Sequence, residues 1–184
     1  MTIVLIGPPA AGKTRTGRRL ARRLGLTFTD TDREIERGHG PIPGIFAERG
    51  EAGFRELERE AVAAALADGG VVALGGGAIT DPLTRQRLAE HTVLLVTARP
   101  EAIAPRIEGS GKRPLLRSMD DWLALYERRR EHYEHLARAR FDTSFRPMSQ
   151  VVEEMAAWLE RAGEDGNVEE QRVDERRSDE ERVG

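Results

Sequence analysis

The chain contains no cysteine, so disulfides and thiolate chemistry are excluded, which fits a reducing compartment. No apolar run approaches the length of a membrane span, so no membrane partner is expected. The first residues, MTIVLIG, lack a basic leader and a cleavage site, so they do not read as a secretory signal; the expected location is cytoplasmic. Charge of one sign is not in excess either. A formal net charge of −3 over 184 residues gives no reason to expect a nucleic-acid partner. The four histidines, His39, His91, His132 and His135, have no metal-ligand company and read as surface residues. Lysine is the scarcest charged type: of 29 basic residues, only Lys13 and Lys112 are lysine.

What remains is an ordinary globular composition, 39% hydrophobic and 33% charged, at a length suited to one well-buried domain. Apolar runs alternate with amphipathic stretches. TIVLI (2–6), LTF (26–28), VVAL (71–74), TVLLV (92–96) and FDTSF (141–145) read as strands. Helical patterns follow Lys13 up to Gly25, run from about Asp32 to Leu66, and recur near Asp81–Ala89, Pro100–Ile107, Asp120–Arg140 and Val151–Arg161. Strands separated by helices imply an α/β fold, a parallel sheet covered on both faces. Residues 162–184 hold nine acidic residues and four arginines with very few large apolar side chains, and read as a disordered tail behind a single domain spanning 1–161. No unexplained apolar helix face stands out, so the expected state is a monomer.

The strongest motif is GPPAAGKT, directly after the first strand and at the start of a helix. It fits G-x-x-x-x-G-K-[ST]. In that context backbone N–H groups and the helix N-terminus face phosphate, Lys13 reaches the terminal phosphates, and Thr14 can hold Mg²⁺. A chain so biased towards arginine keeps lysine where a compact ammonium suits phosphates better than a planar fork. The candidate ATP-binding run is therefore Gly7, Pro8, Pro9, Ala10, Ala11, Gly12, Lys13 and Thr14, continued by Arg15.

Four further stretches carry candidate chemistry. DTD (30–32) places two carboxylates at the end of the second strand; one can hold Mg²⁺ or its waters, and the other can bind or deprotonate an acceptor hydroxyl, while either can cap the following helix. GEAGFRELERE presents Arg55 three residues before Glu58, which on its own reads as an ion pair on a wet helix face. VVALGGGAI gives up three side chains together at Gly75, Gly76 and Gly77, and a turn alone would seldom require all three. GSGKRPLLR (109–117) looks like a mobile cover from which an arginine can meet a transferring phosphoryl group. ERRREHYEH offers three consecutive arginines, of which at most one or two can face a given site.

Together, GPPAAGKT, DTD, IFAERGEAGFRELE, ALGGGAI, KRPLL, and RREHY followed by FDT resemble the shikimate kinase family over about residues 2–161. The resemblance implies a P-loop three-layer sandwich with a five-stranded parallel sheet, a lid at about 109–119 and an acceptor-binding segment at about 31–62. It implies ATP and shikimate as substrates, Mg²⁺ as cofactor, and phosphorylation of the 3-hydroxyl on the route to chorismate and the aromatic amino acids. By the same resemblance Thr14 ligates Mg²⁺ and Asp30 orders its water shell. Asp32 hydrogen-bonds the acceptor hydroxyls, Arg55 and Arg129 clamp the substrate carboxylate beside Gly75, Gly76 and Gly77, and Arg113 is the lid arginine. Arg106 and Arg146 match positions over the adenine or near the phosphates. The chain departs from the family pattern in two places: Ala10 stands where the loop usually has glycine, and Glu131 where R-x-P-x-Y has proline. The rival readings are another small-acceptor P-loop kinase of the gluconate kinase type, and a non-catalytic nucleotide-binding regulator.

Overall fold

The computed structural model describes residues 2–108 and 118–163. The expected cover, with Lys112 and Arg113, and residues 164–184 of the expected tail lie outside the described residues. Residues 162 and 163 belong to the last helix.

Five parallel strands form one sheet in the order β2-β3-β1-β4-β5. They are β1 (Thr2–Ile6), β2 (Phe28–Asp30), β3 (Gly70–Ala73), β4 (Thr92–Thr97) and β5 (Ala139–Asp142). The helices are α1 (Lys13–Leu24), α2 (Thr31–His39), α3 (Ile42–Asp68), α4 (Pro82–Leu88), α5 (Pro100–Glu108), α6 (Met119–Leu136) and α7 (148–163). β1 and β4 are buried along their whole length, which is why they read as unbroken Val, Ile, Leu and Thr runs.

Alternation along the strands divides the interior into two layers. Ile3, Leu5, Val71, Leu94 and Val96 face α1 and α7, meeting Leu20, Val151, Met155 and Ala156. Val4, Ile6, Val72, Val93 and Leu95 face the other way, against Val62 and Leu66 of α3, Leu88 of α4 and Tyr133 of α6. Each fully buried aliphatic side chain contributes about 1.5–3 kcal/mol. A third, smaller cluster of Ile35, Ile45, Phe54 and Leu57 holds α2 against the first half of α3.

Several boundaries differ from the sequence expectation, among them the start of α7 at 148 rather than Val151. β2 begins at Phe28 rather than Leu26, because the Leu26 N–H turns back to the Ala21 carbonyl in the cap that Gly25 closes with a φ of 68°. Leu26 is left 42% exposed. α6 stops at Leu136 rather than Arg140, since the Arg138 N–H pairs with the Val93 carbonyl and draws the chain into β5. β5 accordingly ends at Asp142, before the SF of FDTSF. Tertiary pairing here overrides local helix propensity.

β1, β2 and β3 all deliver their next residues to the carboxyl edge of the sheet. The phosphate loop, the DTD segment and the glycine triplet therefore emerge side by side, where open α/β sheets place ligands.

Candidate active site

The carbonyls of the loop after β1 are engaged by donors, and one of its own amides, the Ala11 N–H, turns back to the Pro8 carbonyl at 3.4 Å. Lys13 Nζ donates to the Gly7 carbonyl at 2.8 Å and to that of Pro8 at 3.0 Å. Trp122 Nε1 takes the Pro9 carbonyl at 2.9 Å, Arg106 Nη1 that of Ala10 at 3.0 Å, and the Thr143 hydroxyl that of Ala11 at 2.8 Å. The Thr16 N–H takes the Gly12 carbonyl at 2.9 Å. With these oxygens satisfied, the remaining loop N–H groups and the start of α1 can serve as a cradle for phosphate. Gly7 is required for closeness as well as conformation: its φ is 140°, and a Cβ would collide with the Val96 carbonyl.

Beside the cradle, the Thr14 hydroxyl donates to Asp30 Oδ2 at 2.6 Å. Asp30 Oδ1 accepts from the Arg33 N–H at 3.3 Å, so Asp30 is the N-cap of α2. Capping therefore falls to Asp30, and Asp32 sits in the first turn of the helix. The two carboxylates line one cleft, but the turn of a helix separates them rather than the two-residue repeat of a strand. Hydroxyl and carboxylate oxygens next to a phosphate cradle are the donor types that Mg²⁺ takes. Among the described residues, no three or more His, Cys, Asp or Glu side chains gather as an all-protein metal cage.

The cleft has a volume of about 410 Å³. Lys13, Thr14 and Asp30 line one end, and Asp32, Arg55, Glu58 and Arg129 line it with Gly76 and Gly77. Arg55 pairs with Glu58, as its spacing suggested, but the face is not wet: the side chains are 18% and 4% exposed. A second ion pair joins Arg55 to Glu51 at 3.2 Å. Burial opposes the Arg55 charge, yet these two carboxylates more than offset it and hold its pKa above the ordinary value. Burial also pushes the Glu58 carboxyl up; Arg55 pulls it part of the way back, and the nearby Asp32 charge adds to the rise.

Of the three consecutive arginines, Arg129 is the one turned inward. It is 8% exposed and donates to the Gly76 carbonyl at 2.9 Å. Arg128 donates to the Ala124 carbonyl of its own helix, and Arg130 pairs with Glu127 and Glu134 on the surface. The Tyr133 hydroxyl also donates to the Gly76 carbonyl, at 2.6 Å. Burial pushes its pKa up to about 12, so it remains a donor at neutral pH.

The glycine triplet is bare because side chains of the cleft rest against it. A Cβ on Gly75 would strike Asp32 Oδ1 and come within 2.9 Å of Glu58 Oε1; one on Gly77 would lie 2.5 Å from Arg55 Nη1. One on Gly76 would press the Pro9 ring at 3.2 Å. None of the three has a positive φ, so a Cβ here would disturb the position of these side chains rather than a turn. The Gly75 N–H donates to the Thr31 hydroxyl, and Gly75 stands behind the cleft wall rather than in it.

Arg15 is exposed and does not line the cleft. Arg106 braces the loop through Ala10, and Arg146 pairs with Glu154 of α7. The residues that sequence reasoning missed are Glu58 as a wall of the cleft, the apolar side formed by Ile42, Phe46 and Phe54, and, outside the lining, Trp122 and Tyr133, which hold the Pro9 and Gly76 carbonyls. The spacing of Phe54, Glu58 and Val62 carried the signal for Glu58, since every fourth residue of a helix shares a face and both flanking residues are core types.

A family model described as shikimate kinase matches residues 9–160. A shikimate kinase of Salinispora tropica is 47% identical over 161 residues, covering 85% of this chain and 96% of that one. The structure of shikimate kinase from Acinetobacter baumannii in complex with shikimate is similar with a TM-score of 0.83 and 32% identity, covering 88% and 93% of the two chains. A gluconokinase structure from Sinorhizobium meliloti gives a TM-score of 0.63 at 18% identity, over 91% and 96%, a likeness of fold alone.

Proposed function

This chain belongs to the shikimate kinase family, and on that premise we propose that it transfers the γ-phosphoryl group of ATP to the 3-hydroxyl of shikimate across the 410 Å³ cleft. The observation that carries this reading is the meeting of two arginines from distant segments, Arg55 and Arg129, with Asp32 beside Thr14 and Asp30. A small acid polyol needs such a set: cations for its carboxylate and an acceptor for its hydroxyl protons.

The loop amides and Lys13 bind and neutralise the phosphates, and Lys13 exchanges its carbonyl partners for phosphate oxygens. Thr14 and Asp30 would hold Mg²⁺, which would supply positive charge against the phosphate oxygens. Asp32 orients the reacting hydroxyl and accepts its proton. Arg55 and Arg129 hold the carboxylate at the far end, which fixes the hydroxyl towards the phosphate. Arg113 is assigned the transferring phosphoryl group on the family resemblance alone. The working unit is residues 1–161, acting as a cytoplasmic monomer on two small molecules. Among the described residues, no helix is long and apolar enough to cross a membrane.

The test is a coupled ADP-release assay of the full chain with ATP, Mg²⁺ and either shikimate, gluconate or no acceptor. ADP release is expected with shikimate alone. Turnover with gluconate and none with shikimate would overturn the assignment.

A further inference from the structure

Helix α6 reaches both halves of the cleft through one face. Trp122, Tyr126, Arg129 and Tyr133 stand at helical spacings of four, three and four residues, which align them along a single stripe. At one end the Trp122 indole N–H holds the Pro9 carbonyl of the phosphate loop at 2.9 Å. At the other, the Tyr133 hydroxyl holds the Gly76 carbonyl of the acceptor turn at 2.6 Å. Between them the Tyr126 ring stacks on both neighbours, 5.4 Å from Trp122 at an interplanar angle of 12° and 6.4 Å from Tyr133 at 21°. The two anchored residues also meet directly, since the Pro9 ring lies against Gly76.

The stripe is built to be stiff. Trp122 and Tyr133 are 2% and 1% exposed, so neither ring has room to change rotamer. The Ser118–Asp121 capping box fixes the start of the helix, and Glu131 in place of a proline leaves α6 continuous as far as Leu136. Both hydrogen bonds end on backbone oxygens, so they set where the main chain lies rather than which side chain is present.

We infer that Trp122 and Tyr133 are positioning residues for phosphoryl transfer: with the Tyr126 ring between them, they make α6 a spacer that sets the distance from the phosphate loop to the acceptor turn. This rests on the proposed reaction across the cleft. Neither side chain touches a substrate in this account; each acts through a carbonyl. A displacement on the order of 1 Å between reacting groups is enough to cost about 10²-fold in rate. Tyr133 and Arg129 share the Gly76 carbonyl as acceptor.

The test is a double-mutant cycle with Trp122→Phe and Tyr133→Phe, which remove one donor each and keep an aromatic ring. Trp158→Phe, a partly buried ring in the opposite core layer, is the control. Initial rates with ATP and shikimate are read alongside melting temperature. Each single variant is expected to lose about tenfold in kcat, with KM for either substrate changing less than about threefold. The double variant is expected to lose much less than the product of the two, because one spacing is released only once. The control is expected to keep its kcat whatever its melting temperature. Unchanged kcat in the single variants, with only a lower melting temperature, would overturn the inference. So would fully multiplicative losses in the double variant, which would make the contacts independent. A wild-type chain inactive on shikimate would instead overturn the proposed function, so the two failures are distinct.

Discussion

The phosphate end and the acceptor end of the cleft are made of different materials. The phosphate end is backbone: one contiguous run, Gly7 to Thr14, whose carbonyls are taken by donors. The acceptor end is side chain: Asp32 from α2, Arg55 and Glu58 from α3, and Arg129 from α6, gathered against a turn stripped to glycine. The first can bind phosphate on almost any scaffold, since it needs only a strand before it and a helix after it. The second exists only in the finished fold, and its charged groups double as buried structure. Substitutions at the phosphate end should therefore separate activity from stability, whereas those at the acceptor end should move both.

The largest expected effect tests the first half of that contrast. Lys13→Ala should reduce kcat by on the order of 10³-fold or more, as expected when a preorganised charge facing the phosphoryl group is removed. Melting should shift by only a few degrees, because the hydrogen bonds lost go to two carbonyls within the same loop. Differential scanning calorimetry beside the ADP-release assay checks both. A collapse in melting temperature would mean that the loop depends on this side chain to fold.

Arg55→Met tests the second half. It keeps bulk but leaves Glu58 buried without its closest cation, and breaking such a pair costs about 3 kcal/mol, the low end of the usual range because Arg55 is partly exposed. The loss should depend on pH with a definite sign. The folded-state pKa of Glu58 already lies above its ordinary value of 4.5, and removing Arg55 raises it further. A carboxyl with a raised folded pKa favours folding below its unfolded pKa, and that contribution is lost as pH rises through the folded value. The melting deficit of Arg55→Met against wild type should thus grow as pH rises through the raised folded pKa of wild-type Glu58 and shrink on acidification below it. A deficit that does not vary with pH would mean that Glu58 is not left ionised and buried.

The same contrast explains what could be read in advance. The phosphate loop is legible in the sequence because it works through consecutive residues, and the parallel sheet because β1, β3 and β4 carry apolar runs. The acceptor end was readable only as a resemblance. From spacing alone Arg55 and Glu58 look like an exposed helix pair, and three arginines in a row offer no choice among them. For Glu58 the spacing from Phe54 and Val62 held part of the answer; for Arg129 what decides is which face of α6 turns inward, a long-range fact that local pattern does not contain. The boundaries of α6 and β5 failed for a related reason, the Arg138 N–H being held by the distant Val93 carbonyl, whereas β2 starts late because of a local cap, the Leu26 N–H on the Ala21 carbonyl.

A middle-sized effect asks whether facing inward is what matters. Arg129→Lys removes the planar fork while retaining charge, and should raise the KM for shikimate by about tenfold with that for ATP nearly unchanged. Arg130→Lys should change neither, since its partners Glu127 and Glu134 lie on the exposed side of α6. Steady-state kinetics with each substrate varied in turn separates them. The reverse pattern would place the carboxylate clamp one residue away.

The smallest effect returns to Ala10, the one place where the phosphate end relies on a side chain it does not need for chemistry. Its φ is 62°, a left-handed conformation that costs an L-residue about 1–2 kcal/mol and glycine almost nothing. Its methyl group packs against the cluster of Ala98, Ile103 and Trp122, which returns up to about 0.8 kcal/mol. Glycine would also loosen the unfolded chain, costing about 0.4–1 kcal/mol. The opposing amounts nearly cancel, so Ala10→Gly should leave stability within about 1 kcal/mol of wild type, a melting shift of no more than about 2–4 °C. Turnover should not change, because Arg106 holds the Ala10 carbonyl through the backbone, whichever residue stands there. A melting drop well beyond that range would show that the methyl contact, rather than the carbonyl bonds, fixes the loop on the Trp122 side. A loss of turnover at constant stability would show that the phosphate end depends on side-chain packing after all, and the division between the two ends of the cleft would fail at this residue.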